Sequence, residues 1–189
     1  MANPDAAFGF RPVGNDGGVY NGVTQRCVFA STQATAAYIG SVVKMATTAA
    51  IGTGGAQCVT VCTAADPVYG VVTSFEANAD NLSQQYRVAS TERYCQVVRA
   101  DNALFEVQEA GSIGLAGVGF NANYSTGTGS TVTGLANTEL TSSGIAATSS
   151  LDLQVVSGVD RPNNDLTASN AVWIVKFNDP QGKALRTGT

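Results

Sequence analysis

The sequence predicts a mainly β protein, a single β-barrel or β-sandwich domain, and three observations predict it. Short segments in which β-branched and aromatic residues alternate with polar ones recur along the chain. Gly, Asn, Asp and Pro clusters, the residues that turns require, separate them. No stretch sustains apolar residues at i, i+3, i+4 and i+7 behind a cap, so a helical core has no support. At 189 residues the chain suits one hydrophobic core, and no compositional seam divides it.

The elements follow in order. The first eighteen residues hold Pro4, Pro12 and the turn signal Asn15-Asp16-Gly17-Gly18. They are expected as an irregular N-terminal arm, 1–18, ahead of one β-rich domain, 19–189. Phe8, Phe10 and Val13 in that arm need an apolar partner, either their own domain or another subunit. Residues 24–29 read as a strand with Cys27 and Phe29 on one face and Arg26 on the other. Residues 57–63 and 70–76 read as strands that pair as neighbours across the Asp66-Pro67 turn. In 93–100, Cys95 and Val97 oppose Tyr94, Gln96 and Val98, the pattern of a strand partly covered on both faces. Residues 104–108 continue after the Asp101-Asn102 turn. Near the end Leu151, Leu153 and Val155 share a face, and in 171–177 the set Trp173, Val175 and Phe177 is the best core candidate. At most a turn or two of helix is expected around 78–85. From 125 to 150 the composition shifts to Ser, Thr, Gly and Ala with Glu139 as the only charge. This stretch is expected as a long Ser/Thr/Gly-rich loop.

Composition excludes several functions. Charged residues make up 13% of the chain, against roughly 25% on average. The net charge is −4, and the ten Lys and Arg are scattered, so no basic stripe matches a run of phosphates. Nucleic-acid binding is not expected. Neither an apolar run of membrane-spanning length nor a secretory signal pattern is present, so no membrane crossing is expected either. The four cysteines, Cys27, Cys58, Cys62 and Cys95, are expected as free buried thiols of a reducing compartment. Cys58 and Cys62 share a strand face about 13 Å apart at roughly 3.3 Å per residue. That is beyond the reach of a mutual disulfide.

The chain has no histidine, which removes Ser-His-Asp and Cys-His nucleophiles and imidazole zinc sites. The cysteine spacing does not suit a four-cysteine zinc site, and no cofactor or metal is expected. Gly111, Gly114, Gly117 and Gly119 lack the order of a phosphate loop and read as turn glycines. Glu76, Asp80, Glu106 and Glu109 offer carboxylates for a glycosidase-like pair, but on a 104–108 strand Glu106 and Glu109 point to opposite faces. No catalytic residue is assigned. Six tyrosines offer ring surfaces for sugar or protein partners. Two Asn-x-Ser triplets, at Asn81 and Asn123, mean nothing without secretion.

Particular stretches go further. The opening Met-Ala-Asn-Pro-Asp-Ala-Ala-Phe-Gly-Phe-Arg-Pro, residues 1–12, resembles the start of the structural cement, or head decoration, proteins of tailed phages. The likeness continues in Tyr-Asn-Gly-Val-Thr-Gln-Arg-Cys (20–27) and Tyr-Gly-Val-Val-Thr-Ser-Phe-Glu (69–76). It runs on through Leu-Ser-Gln-Gln-Tyr-Arg (82–87), Tyr-Cys-Gln-Val-Val (94–98), Arg-Pro-Asn-Asn (161–164) and Asn-Ala-Val-Trp (170–173). Where related chains often carry an Asn-Asn-His-Gln turn, this one has Phe177-Asn178-Asp179-Pro180-Gln181. The resemblance implies a β-rich, non-enzymatic protein made in the bacterial host cytoplasm and placed on the virion's outer capsid surface. There it would bridge subunits of the phage major capsid protein in an HK97-type shell, often as a homotrimer at local threefold positions. Phe8, Phe10, Arg11 and Pro12, outside any readable strand, are the expected capsid or inter-subunit contacts. The alternative is a virion-surface module that binds a glycan or receptor. A polysaccharide hydrolase is a third class that no sequence feature requires.

Overall fold

A computed structural model describes residues 3–46 and 54–181. The fold is mainly β, and its strands form two layers. The first is a closed barrel of β3 (Gln25–Phe29), β5 (Gln57–Val61), β4 (Val42–Met45), β6 (Gly70–Phe75) and β7 (Arg93–Arg99), in that spatial order. The second is an eight-stranded sheet running β10 (Tyr124–Gly127), β11 (Asn137–Thr141), β8 (Ala103–Ala110), β13 (Val172–Phe177), β12 (Leu153–Gly158), β9 (Asn121–Ala122). The remaining two sheet strands, β1 (Arg11–Asn15) and β2 (Gly18–Val19), form a hairpin that joins this sheet at β8. The barrel is therefore one contiguous stretch inserted between β2 and β8.

The side-chain alternation read from the sequence builds both layers. Cys27, Phe29, Val59, Val72, Cys95 and Val97 fill the barrel. The alternate residues Val71 and Val98 face outward into a second core shared with the sheet, where they meet Phe105, Val107, Leu153, Val155, Trp173, Val175 and Phe177. β7 is thus covered on both faces, as its pattern required. Trp173 and Val175 are wholly buried and Phe177 nearly so.

Three expectations are corrected. Strands 57–63 and 70–76 are not neighbours, because β4 lies between them and pairs antiparallel with each. β4 has four residues with both faces partly covered, so it shows no clean alternation.

The stretch 125–150 is not one loop. It carries most of the β10–β11 hairpin, in which Thr138 and Leu140 point inward and Leu140 pairs in parallel with Glu109 of β8. The hairpin borrows the sheet's core instead of building its own.

The N-terminal segment is not an irregular arm. β1 pairs with β8 through Arg11↔Glu106 and Asn15↔Ala103, with a bulge between Pro12 and Gly14 that accommodates the proline. Ahead of it the chain is tied down from Asn3, whose side chain donates to Asp165 O and Ser169 O and accepts from Asp165 N. Gln108 takes the Ala6 amide and donates to Pro4 O. Gly9, at φ +73°, lies so close to Gly40 that a Cβ would stand 2.7 Å from the Gly40 carbonyl oxygen. The glycine lets this strap lie backbone to backbone on the barrel layer.

Candidate functional site

The residues expected as capsid contacts lie in different environments. Phe10 is 1% exposed, packed edge-on against Phe105 and Tyr124 and tilted on Phe177 at 5.1 Å between ring centres. Phe8 is buried beneath the Arg11 guanidinium, 4.0 Å from its ring centre. Pro12 is half-buried in β1. Of the four, only Arg11 is exposed, 3.7 Å from Glu106, which Arg161 flanks at 3.6 Å on its other oxygen. The two rings have already found their apolar partner in their own domain, where burial of each contributes about 1.5–3 kcal/mol.

The cysteines and several carboxylates are inward or already engaged, whereas Asp80 is exposed beside Glu76 at the lining of a cleft. All four cysteines are free and buried. Burial pushes the Cys27 thiol up to about 11 and Cys62 up to about 12, and it raises Cys95 further. Such thiols are protonated and poor nucleophiles. Glu109, on the core side of β8, is fully buried. Its Oε2 accepts the Ile113 amide at 2.7 Å. Its Oε1 and the Trp173 indole nitrogen have no partner at hydrogen-bonding geometry, although the indole lies near enough to restrain the carboxyl's pKa. Burial wins and raises it.

The seam between the layers holds the nearest thing to an acid pair. Burial raises Asp152, whereas Asp66 is held down by Lys44, at 2.6 Å, and by the Thr63 amide and hydroxyl despite its own burial. Divergent pKa values in neighbouring carboxylates are one signature of acid-base work. Here Asp66 Oδ1 accepts from Lys44 and Oδ2 from the Thr63 amide and hydroxyl, and Asp152 accepts the Ala65 amide at 3.2 Å, so the pair fastens the 63–66 turn to β4 and to the start of β12. Glu106 and Glu109 lie on opposite faces of β8, as alternation requires. Among the described residues no cluster of Cys, Asp and Glu has the geometry of a metal site.

Arginines close the barrel. Arg87, fully buried, donates to the carbonyls of Ala30, Gln33, Thr35 and Thr91 and lies over the Phe29 ring. Arg93 donates to the carbonyls of Glu76, Gln84 and Tyr86. The two guanidiniums hold the segment 76–91, and that segment presents Leu82 to solvent at 80% exposure. Sequence reasoning missed both arginines, since a fully buried arginine without a carboxylate leaves no local pattern.

The tyrosines give little ring surface for a sugar. Tyr38 stacks on Tyr86 at 5.2 Å and has Gly129 against it as well. Arg26 covers Tyr94 at 3.8 Å, and Tyr69 and Tyr124 are buried. Tyr20 lines an open cleft of about 600 Å³ with Asp16, Arg99 and Asp101, and Tyr94 one of about 310 Å³ with Glu76, Asp80 and Arg93. A further cleft of about 380 Å³ is lined by Val42, Val61 and Cys62 of the barrel side and by Thr126, Gly127 and Thr128 at the rim of the sheet. Beyond it are single exposed apolar side chains, Val132 at 91%, Val19 at 85% and Leu82.

No protein-family model, curated protein or solved structure matches this chain. The geometry by itself defines a mainly β body of two layers, a closed barrel packed on an open sheet.

Proposed function

We propose that this chain is a capsid cement protein of a tailed phage, a non-enzymatic virion component that binds the outer surface of an HK97-type shell and bridges its major capsid subunits. The observation that carries the reading is where the phage-like stretches lie. Residues 82–87 and 94–98 supply the Arg87 closure and the doubly covered β7. Residues 1–12 supply the strap and β1, and residues 170–173 lead into β13. These are positions that tie the two layers, barrel and sheet, together.

The physics suits the role. A reinforcing protein needs many modest contacts repeated by shell symmetry, and it stabilises the assembled state by binding that state selectively. An acidic chain without a basic stripe suits an exterior position, away from packaged DNA. A trimer at local threefold positions is the arrangement the resemblance implies. The expected contact surface moves from Phe8 and Phe10, which are buried, to exposed parts of the fold.

The test is co-sedimentation with mature shells assembled without this protein, followed by heat disruption of the loaded shells. Saturable binding in whole-number ratio to capsid subunits, with a raised disruption temperature, is expected. Absence of binding overturns the reading.

A further inference from the structure

We propose that the outer edge of β10 is a strand-pairing site that takes up an extended, uncharged segment of a shell subunit. This rests on the cement reading and names the surface that would carry it. An edge strand presents unpaired backbone N–H and C=O groups, and folded proteins normally blunt it.

The closed barrel has no edge. At one end of the large sheet, residue 146 covers β9: the Asn121 amide donates to Ala146 O at 2.9 Å, and the Ala146 amide returns to Asn121 O at 3.1 Å. β2 is two residues long. The β10 edge has no such device among the described residues. Its four residues, Tyr-Ser-Thr-Gly, pair only with β11, in an unbroken register from Tyr124↔Leu140 to Gly127↔Asn137. They contain no charge, no proline and no bulge, and Ser125, Thr126 and Gly127 are exposed.

The surroundings say what fits there. Thr126, Gly127 and Thr128 form one rim of the 380 Å³ cleft, whose floor is Val42, Val61 and Cys62 and whose lining includes no charged side chain. A strand added to β10 would turn alternate side chains toward that floor, the usual basis of specificity in strand addition. A charged side chain there would lose water and gain no partner. A helix would leave the edge N–H and C=O groups unanswered.

The site is also preorganised. In the β10–β11 loop, Ser130 N donates to Leu135 O, Gly134 N to Ser130 O, and the Ser130 hydroxyl accepts the Thr133 amide. This loop carries Val132, 91% exposed, at the turn that joins β10 to β11.

The experiment is amide hydrogen exchange of the full chain, free and loaded on mature shells, with binding measured for Thr126→Lys and Thr126→Val. Slowing of the 124–128 amides on loading by about tenfold or more is expected. Thr126→Lys is expected to bind at least about tenfold more weakly, while Thr126→Val stays within about twofold of the parent. Thr128→Lys, one residue beyond the strand, repeats the test without touching the β10–β11 ladder should Thr126→Lys fail to fold. If the parent binds shells with unchanged exchange at 124–128, the edge proposal falls and the cement reading stands. If protection at 124–128 rises with protein concentration in the absence of shells, the occupant is a second copy and the proposal is overturned. If the parent does not bind shells, both fall.

Discussion

The barrel and the open sheet solve the same problem in opposite ways. The barrel is made from one contiguous stretch, β3 to β7, and its small core of cysteine, valine and phenylalanine is finished by arginines that bind backbone carbonyls. The sheet is collected from both sides of that insertion, and it is finished by aromatic packing, with Phe10 of the strap set among Phe105, Tyr124 and Phe177. Among the described residues the closed barrel leaves no backbone edge for a partner, whereas the sheet leaves the β10 edge uncovered. Closure by polar groups thus goes with self-sufficiency, and closure by apolar packing goes with the layer that has an open edge.

The sharpest way to break this contrast is at Arg87. Its removal by Arg87→Ala strands up to four buried carbonyls, each costing about 1–3 kcal/mol when unmet. A loss of about 5 kcal/mol or more is expected, large enough to unfold a typical domain. Arg87→Lys is expected to recover only part of it, because an ammonium cannot reproduce the planar fork. Urea melts of the two variants check this, and near-parental stability of Arg87→Lys would show that charge alone matters. On the sheet side, Phe10→Ala opens a cavity in the aromatic cluster and is expected to cost about 3–5 kcal/mol. If Phe10→Ala left stability unchanged, the strap would be an arm after all.

The legible parts of the fold were those where alternation coincides with strong β formers. Trp173, Val175 and Phe177 declare one face of β13, and Cys95 and Val97 set against Val98 declare a strand between two cores. β1 escaped notice because it carries Pro12 and Gly14, residues that argue against a strand and are tolerated here at a bulge. β11 alternates buried Thr138 and Leu140 with exposed or half-buried neighbours, but the hydroxyl-rich composition around it hid the pattern. The open edge of β10 was illegible for another reason. Whether a strand has one neighbour or two is decided by topology, and nothing within its own four residues records it. Arg87 shows the same limit, since its carbonyl partners come from residues 30–35 as well as from Thr91.

The smallest expected effect lies at Glu109, where the sheet departs from its own apolar rule. The carboxyl is fully buried beside Trp173, with one oxygen unpartnered. Burial raises its pKa above the ordinary 4.5, so the folded state prefers the protonated form. Stability from this group is therefore present at low pH and is lost as pH rises through the raised folded-state value. Glu109→Gln keeps the shape and an acceptor for the Ile113 amide but cannot ionise. At pH 8 the variant is expected to exceed the parent by about 1–3 kcal/mol, the scale of a buried unsatisfied group, and the difference should shrink toward pH 4. The difference between parent and variant is the quantity to follow, because Asp152 and Glu139 also titrate upward and Asp66 downward. A difference independent of pH would mean that folding leaves the Glu109 carboxyl with the pKa it has in the unfolded chain. A difference of the opposite sign would mean that the ionised carboxylate is held by the Trp173 indole and the Ile113 amide, and that the sheet, like the barrel, rests on a buried charge answered by fixed dipoles.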